Sequence, residues 1–262
     1  MNITSAVNRR PLTFSSTAIS AILVENEAEW QINGRSIVIN LGNEDVIIMD
    51  DKPQSVQSLR STILADAKVQ NIQKMIEISV RDNITMDGVV DDLGWMRYAD
   101  LVTTPSHDLL KTPLFRSSQD SVGLFHCNEA LLGVTSKMKR ATTSFEVKVN
   151  FWFAPAGTDC LIHRDHSFVE THLQIYGIGR MQKFNSESPD SLYEEIIMAP
   201  GFTQPFFNCA RDESGTFIYP WHQYYAETDC AWMAIEFHLP EAMAHPQASS
   251  PLRNVLSLNP ER

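Results

Sequence analysis

Apolar side chains in the first fifty residues come in short, β-branched runs: Ala18 to Val24, Trp30 to Leu41 and Val46 to Met49. Asn33-Gly34 and Gly42-Asn43 punctuate them, and Asn-Gly tolerates the positive φ angles of a two-residue hairpin turn. A β-hairpin with a third antiparallel strand is therefore expected over residues 18–50. From Pro53 the period lengthens. Val56, Leu59, Ile63, Leu64, Ala67, Ile72, Met75 and Ile76 follow three- and four-residue steps, and proline suits a first helical turn, so an amphipathic helix is expected over 53–82. Residues 87–139 hold no sustained period; Asp91-Asp92-Leu93-Gly94, Thr104-Pro105-Ser106 and Ser117-Ser118-Gln119-Asp120 read as turns or loops.

Beyond Thr142 strand-like segments return: Ser144 to Phe153, Cys160 to His163, Glu170 to Tyr176, Arg180 to Phe184, Glu194 to Met198, Thr216 to Tyr219 and Ala231 to His238. Glycine, proline, asparagine and aspartate separate them, as an antiparallel barrel or sandwich requires. The expected organisation is a mainly β chain: an N-terminal α+β extension over 1–140 packing on a barrel over 141–240, then a tail over 241–262.

Composition narrows the partners. The 262 residues carry a formal charge of −11, which disfavours nucleic acid or an anionic membrane as a general partner and leaves a small-molecule ligand. No apolar run is long enough to span a bilayer, and Met1 to Pro11 lacks the apolar core of a secretory signal. The four cysteines show no CxxC pairing, so reduced thiols in a cytoplasmic protein are expected. G-x-S-x-G, G-x-x-x-x-G-K-[ST], H-E-x-x-H and G-x-G-x-x-G are all absent, which argues against serine-triad hydrolysis and nucleotide-driven chemistry.

The remaining chemistry is concentrated in one stretch. Gly157, His163, His166, Glu170 and Gly177 are spaced as G-x5-H-x-x-H-x3-E-x6-G, and Gly215, Pro220 and His222 follow downstream. Imidazoles and a carboxylate on neighbouring strands can converge on one cation. The first pattern resembles the first motif of the cupin superfamily, G-x5-H-x-H-x3-or-4-E-x6-G, and the second resembles the glycine, proline and histidine of the second cupin motif, with shortened spacing. The resemblance covers about residues 144 to 240. It implies a double-stranded β-helix, or jelly-roll barrel, and a homodimer. It also implies a divalent metal, Fe(II) foremost with Mn, Ni or Zn also suited, held by His163, His166 or Asp165, Glu170 and His222. The activity it implies first is that of a mononuclear non-haem iron oxygenase acting on a small organic molecule. A metal-dependent isomerase or lyase and a non-catalytic small-molecule-binding barrel are the alternatives.

The middle ligand is open. The family writes H-x-H, whereas His163-Arg164-Asp165-His166 holds one extra residue. If this segment stays extended, His163 and Asp165 share a face; if it bulges, His166 rejoins His163. The His163-x-Asp165 pair with His222 also resembles the facial triad of 2-oxoglutarate-dependent iron oxygenases, for which Arg180 or Lys183 would bind the distal carboxylate of 2-oxoglutarate. Glu170, His172 and Gln174 alternate and face one side, which makes Glu170 and His172 candidates for moving a proton. Tyr176 and Trp221 join Arg180 and Lys183 as candidate substrate contacts, although barrel filling is the more economical reading of the aromatic residues. His107, His126, His238 and His245 lie outside the pattern and read as structural.

Overall fold

In the computed structural model, which describes residues 8–82, 84–135, 142–212 and 215–240, the chain beyond Thr142 swings repeatedly between two antiparallel sheets. Thr143–Ala154, Cys230–His238 and Val169–Tyr176 are neighbours in one sheet, which Leu173 extends by bridging Thr203. His163–His166, Phe217–Ala226, Gly179–Phe184 and Leu192–Met198 are neighbours in the other. The first strand thus pairs with the last, and the second with the last but one. This winding is a jelly roll, a double-stranded β-helix of cupin type.

Alternation sorts the side chains. On Thr143–Ala154, Phe145, Val147, Val149, Phe151 and Phe153 enter one large apolar core, while Asn150 and Trp152 take the opposite face. The same core contains Ile19, Leu23, Ile37, Ile39, Ile76 and Ile78 of a seven-stranded N-terminal sheet. Phe14 stacks on Phe151 with ring centroids 4.4 Å apart, pinning the N-terminal segment to the barrel.

Three expectations for the N-terminal half are corrected. Residues 53–82 hold strands, Gln54–Val56, Ser61–Ala65 and Lys68–Val80, in place of the helix. Lys68–Val80 is the central strand, covered on both faces: Val69, Ile72 and Met75 enter a small second core, Ile76 and Ile78 the large one. Asn71 has φ +61°, which breaks the alternation, so a doubly buried strand shows apolar residues every third or fourth position. The Asn33-Gly34 turn forms with Gly34 at φ +68°, but Ile19–Gln31 and Arg35–Asn40 do not pair with each other, because Lys68–Val80 lies between them.

The stretch expected to be irregular holds two short helices, Met86–Asp92 and Tyr98–Leu101, and the thirteen-residue strand Phe115–Cys127, which pairs with Thr143–Ala154. Its polar residues misread as a turn because their partners come from far along the chain: the Thr13 amide donates to Asp120 at 2.8 Å, and Arg10 pairs with the same carboxylate. The four cysteines are free, and no helix of the described residues is long and apolar enough to cross a membrane. The tail expected over 241–262 lies outside the described residues.

Candidate metal centre

Strand register brings the donors together. His163 and His222 are cross-strand partners, with ring centroids 4.5 Å apart. After His163 the register slips: Asp165 pairs with Ile218 and His166 with Phe217, so the opposite strand carries three residues, Tyr219 to Trp221, against the single Arg164. Pro220 sits in this excess, where its missing N–H costs no ladder bond. The irregularity returns His166 to the side of His163, with ring centroids 4.9 Å apart. Asp165 stays outside the converging donors; its side chain is 45% exposed and lies 3.6 Å from Arg164 Nε.

One donor atom from each of His163, His166, Glu170 and His222 lies within 4.8 Å of all the others. Glu170 Oε1 is 3.6 Å from His166 Nε2 and 3.9 Å from His222 Nε2. Two donors bound at about 2.0–2.2 Å to a common ion can be at most about 4.4 Å apart, so movements of a few tenths of an ångström suffice to close the set on a metal. Four nitrogen and oxygen donors without thiolate suit iron, manganese, nickel or zinc.

The ring chemistry fits the same purpose. His163 Nδ1 lies 2.9 Å from the Leu161 carbonyl oxygen, and His222 Nδ1 lies 2.8 Å from that of Pro220. A carbonyl only accepts, so each Nδ1 donates and each Nε2 keeps its lone pair for a cation. His166 is 5% exposed, and neither of its nitrogens finds a hydrogen-bond partner among the described residues. Burial drives His166 well below the usual histidine range, pulls His163 and His222 to about 4, and lowers His172. These imidazoles are neutral near neutral pH, the form that binds metal. Burial also raises Glu170, a shift that a bound cation would reverse.

Those shifts predict acid sensitivity of the metal-free protein. His222 titrates near 6.5 when unfolded and near 4 when folded, so between these values the unfolded chain binds the extra proton. Stability present above about pH 6.5 is expected to fall by about 3 kcal/mol for this group as the pH drops toward 4. Urea unfolding of chelator-treated protein near pH 7 and near pH 4.5 checks it; equal stabilities would contradict the burial of neutral rings.

Around the donors, His172 Nε2 lies 3.6 Å from Glu170 Oε2, and its Nδ1 lies 3.3 Å from Gln204 Oε1. The Glu170 amide donates to the Tyr219 hydroxyl at 3.1 Å, and the Tyr219 ring stands 5.0 Å from that of His166. Glu236, the cross-strand partner of Glu170, accepts from Gln119 and Asn150 and lies 2.8 Å from His238 Nε2. Burial pushes Glu236 up, but the His238 hydrogen bond and the charges of His238 and Arg116 outweigh it and hold the carboxylate below its usual range. Sequence reasoning passed over Gln204, Tyr219 and Glu236. Alternation of Glu236 with His238 on the last strand was a usable signal; Gln204, outside any strand, left none.

The other candidates are dispersed. Arg180 takes the outward face and pairs with Glu195 and Glu227, since Gly179, Met181 and Lys183 alternate inward. Trp221, next to His222 and so on the opposite face, carries the Arg164 guanidinium at 4.7 Å. Tyr176 ends its strand beyond a register shift, and its carbonyl accepts from Gln174. Lys183 is the cross-strand partner of His222, with Nζ 2.8 Å from Glu194 and 4.2 Å from the centre of the Phe207 ring.

No protein-family model and no curated protein matches the chain in sequence. Among solved structures it is similar to a protein of unknown function from Pseudomonas syringae pv. tomato (9% identity, 85% of this chain and 83% of that one, TM-score 0.29). It is also similar to a point mutant of Bacillus subtilis oxalate decarboxylase (10%, 84% and 69%, TM-score 0.28) and to a cupin 2 conserved barrel domain protein from Leptotrichia buccalis (8%, 85% and 85%, TM-score 0.27). At these TM-scores the likenesses carry no argument, and the cupin-type fold rests on the strand order.

Proposed function

We propose that the protein is a mononuclear non-haem iron enzyme, an oxygenase of a small organic molecule, with His163, His166, Glu170 and His222 as the metal ligands. The observation that carries this reading is His166: a buried ring with neither nitrogen hydrogen-bonded among the described residues, facing two imidazoles whose lone pairs are aimed by backbone carbonyls. Leaving such a ring unsatisfied costs about 1–3 kcal/mol, and a cation supplies the missing partner. Bound iron would supply the one-electron chemistry that dioxygen requires.

The chain's own residues supply orientation and proton handling. Gln204 orients His172, whose Nε2 stands 3.6 Å from Glu170 Oε2, beside the donor set, where a neutral imidazole could take up a proton from a bound substrate. Because Asp165 stands outside the donor set, the arrangement favours an oxygenase that needs no 2-oxoglutarate over the facial-triad type. Lys183, already paired with Glu194, is a weak anchor for that cosubstrate.

The His172–Glu170 pair also suits a second reading, metal-assisted isomerisation or elimination, in which the proton transfer is the reaction itself. Oxygen uptake by Fe(II)-loaded protein, measured with candidate organic acids, separates the two. The oxygenase reading expects uptake in step with substrate loss; turnover at an undiminished rate without oxygen would overturn it in favour of the second. The reading includes a cytoplasmic homodimer, whose oligomeric state is testable by light scattering of the purified protein.

A further inference from the structure

The strand Val169–Tyr176, which carries Glu170 and His172, ends the strand order of its sheet, and Ser61–Ala65 ends that of the N-terminal sheet. One short segment, Gly201 to Gln204, joins the two borders. Toward the metal centre its backbone acts as an added strand. The Gln204 amide donates to the His172 carbonyl at 3.0 Å, the Gln174 amide to the Phe202 carbonyl at 3.0 Å, and the Gly201 amide to the Gln174 carbonyl at 2.9 Å. Thr171 Oγ1 adds a bond to the Gln204 carbonyl at 2.8 Å.

Toward the N-terminal sheet the segment is held by Ser61. Its hydroxyl donates to the Gly201 carbonyl at 2.7 Å and lies 2.6 Å from Thr203 Oγ1, which must therefore donate to it. The approach is close because residue 201 is glycine: it has φ +87°, and a Cβ there would stand 2.6 Å from Ile63 Cγ1. Thr203 and Gln204 are buried, so neither faces solvent as an ordinary loop residue does.

The far end of the segment sets a ring of the centre. Gln204 Oε1 lies 3.3 Å from His172 Nδ1, and a carbonyl oxygen only accepts, so Nδ1 carries the proton and Nε2 keeps its lone pair. That nitrogen stands 3.6 Å from Glu170 Oε2, while Glu170 Oε1 turns to His166 and His222. The free lone pair of His172 therefore lies on the outer side of the carboxylate that closes the donor set.

Resting on the metal-centre reading above, we propose that the N-terminal sheet is a working part of that centre. Ser61 anchors the segment, and Gln204 is a positioning residue that holds His172 as the Nδ1–H tautomer, with Nε2 beside Glu170 to accept a proton. A second set of contacts far from the metal thus selects which nitrogen of His172 is basic.

Nitrogen NMR of protein carrying isotope-labelled histidine, metal-free and loaded with diamagnetic Zn(II), reads the tautomer directly, and His172→Gln identifies the signal. Wild type is expected to show His172 protonated at Nδ1 alone. Gln204→Leu is expected to admit the other tautomer, and Gln204→Glu, which keeps an accepting oxygen, to retain the Nδ1 proton. Ser61→Ala is expected to speed hydrogen exchange at the Gln204 and Gln174 amides at least about fivefold and to admit the second tautomer, whereas Ser61→Thr, which keeps the hydroxyl, stays near wild type. Thermal melting shows that the variants are folded. A wild-type His172 protonated at Nε2, a Gln204→Leu protein that keeps the single Nδ1–H form, or exchange and tautomer unchanged by Ser61→Ala overturns the inference. Failure of the metal reading shows up separately, as wild-type protein that takes up neither Zn(II) nor Fe(II) while the metal-free tautomer and exchange results hold.

Discussion

His222→Ala is expected to cut bound metal from about one ion per chain to almost none, and to weaken affinity by more than about a hundredfold. The size of the effect follows from geometry. The Pro220 carbonyl fixes the His222 tautomer, and the Phe217–Ala226 strand places the ring 4.5 Å from that of His163. Of the neighbouring histidines, His172 is held at Nδ1 by Gln204 and His238 at Nε2 by Glu236. Metal analysis after Fe(II) or Mn(II) loading provides the readout, with circular dichroism confirming that the variant is folded. Asp165→Asn is the internal control. It lies outside the set of four converging donors, so metal content should match the wild type. Full metal retention by His222→Ala would remove the basis of the proposed function, and metal loss in Asp165→Asn would reinstate the facial triad.

Gly177→Ala is expected to destabilise the fold by about 2–5 kcal/mol, combining left-handed backbone strain with overpacking. Gly177 has φ +71°, and a Cβ there would collide with the Asp229 carbonyl and the Thr228 hydroxyl. That backbone belongs to the turn joining Phe217–Ala226 to Cys230–His238, both interior strands of the facing sheets, so it cannot yield locally. Gly157→Ala provides the comparison. It has φ +79° but nothing within 4 Å of a new Cβ, so only the backbone cost of about 1–2 kcal/mol applies. Urea melts of both variants measure the gap, and equal losses would show that the Asp229 contact carries no weight.

These two glycines bracket the motif symmetrically in sequence, yet their environments differ. The same asymmetry runs through the protein. Donor types and spacing, the short strands after Thr142 and the turn residues between them are local properties, and the barrel and most of the candidate centre were readable from them. Long-range strand pairing is not local, and it decided the rest.

The segment 53–82 shows this at the level of fold. Its three- and four-residue apolar steps suit a helix in isolation, but burial on both faces of the central Lys68–Val80 strand and the left-handed Asn71 satisfy the same pattern in a sheet. The middle ligand shows it at the level of chemistry. Residues 163–166 alone permit either Asp165 or His166. The excess residues around Pro220, more than fifty positions away, set the register that turns His166 inward. Gln204 and Glu236 reach the centre in the same way, through a loop and a neighbouring strand. Sequence by itself determined which groups were present to bind a metal and that they sat in a β scaffold. Only the tertiary structure decided which of them meet, because cross-strand register, unlike strand propensity, is set by partners distant in the chain.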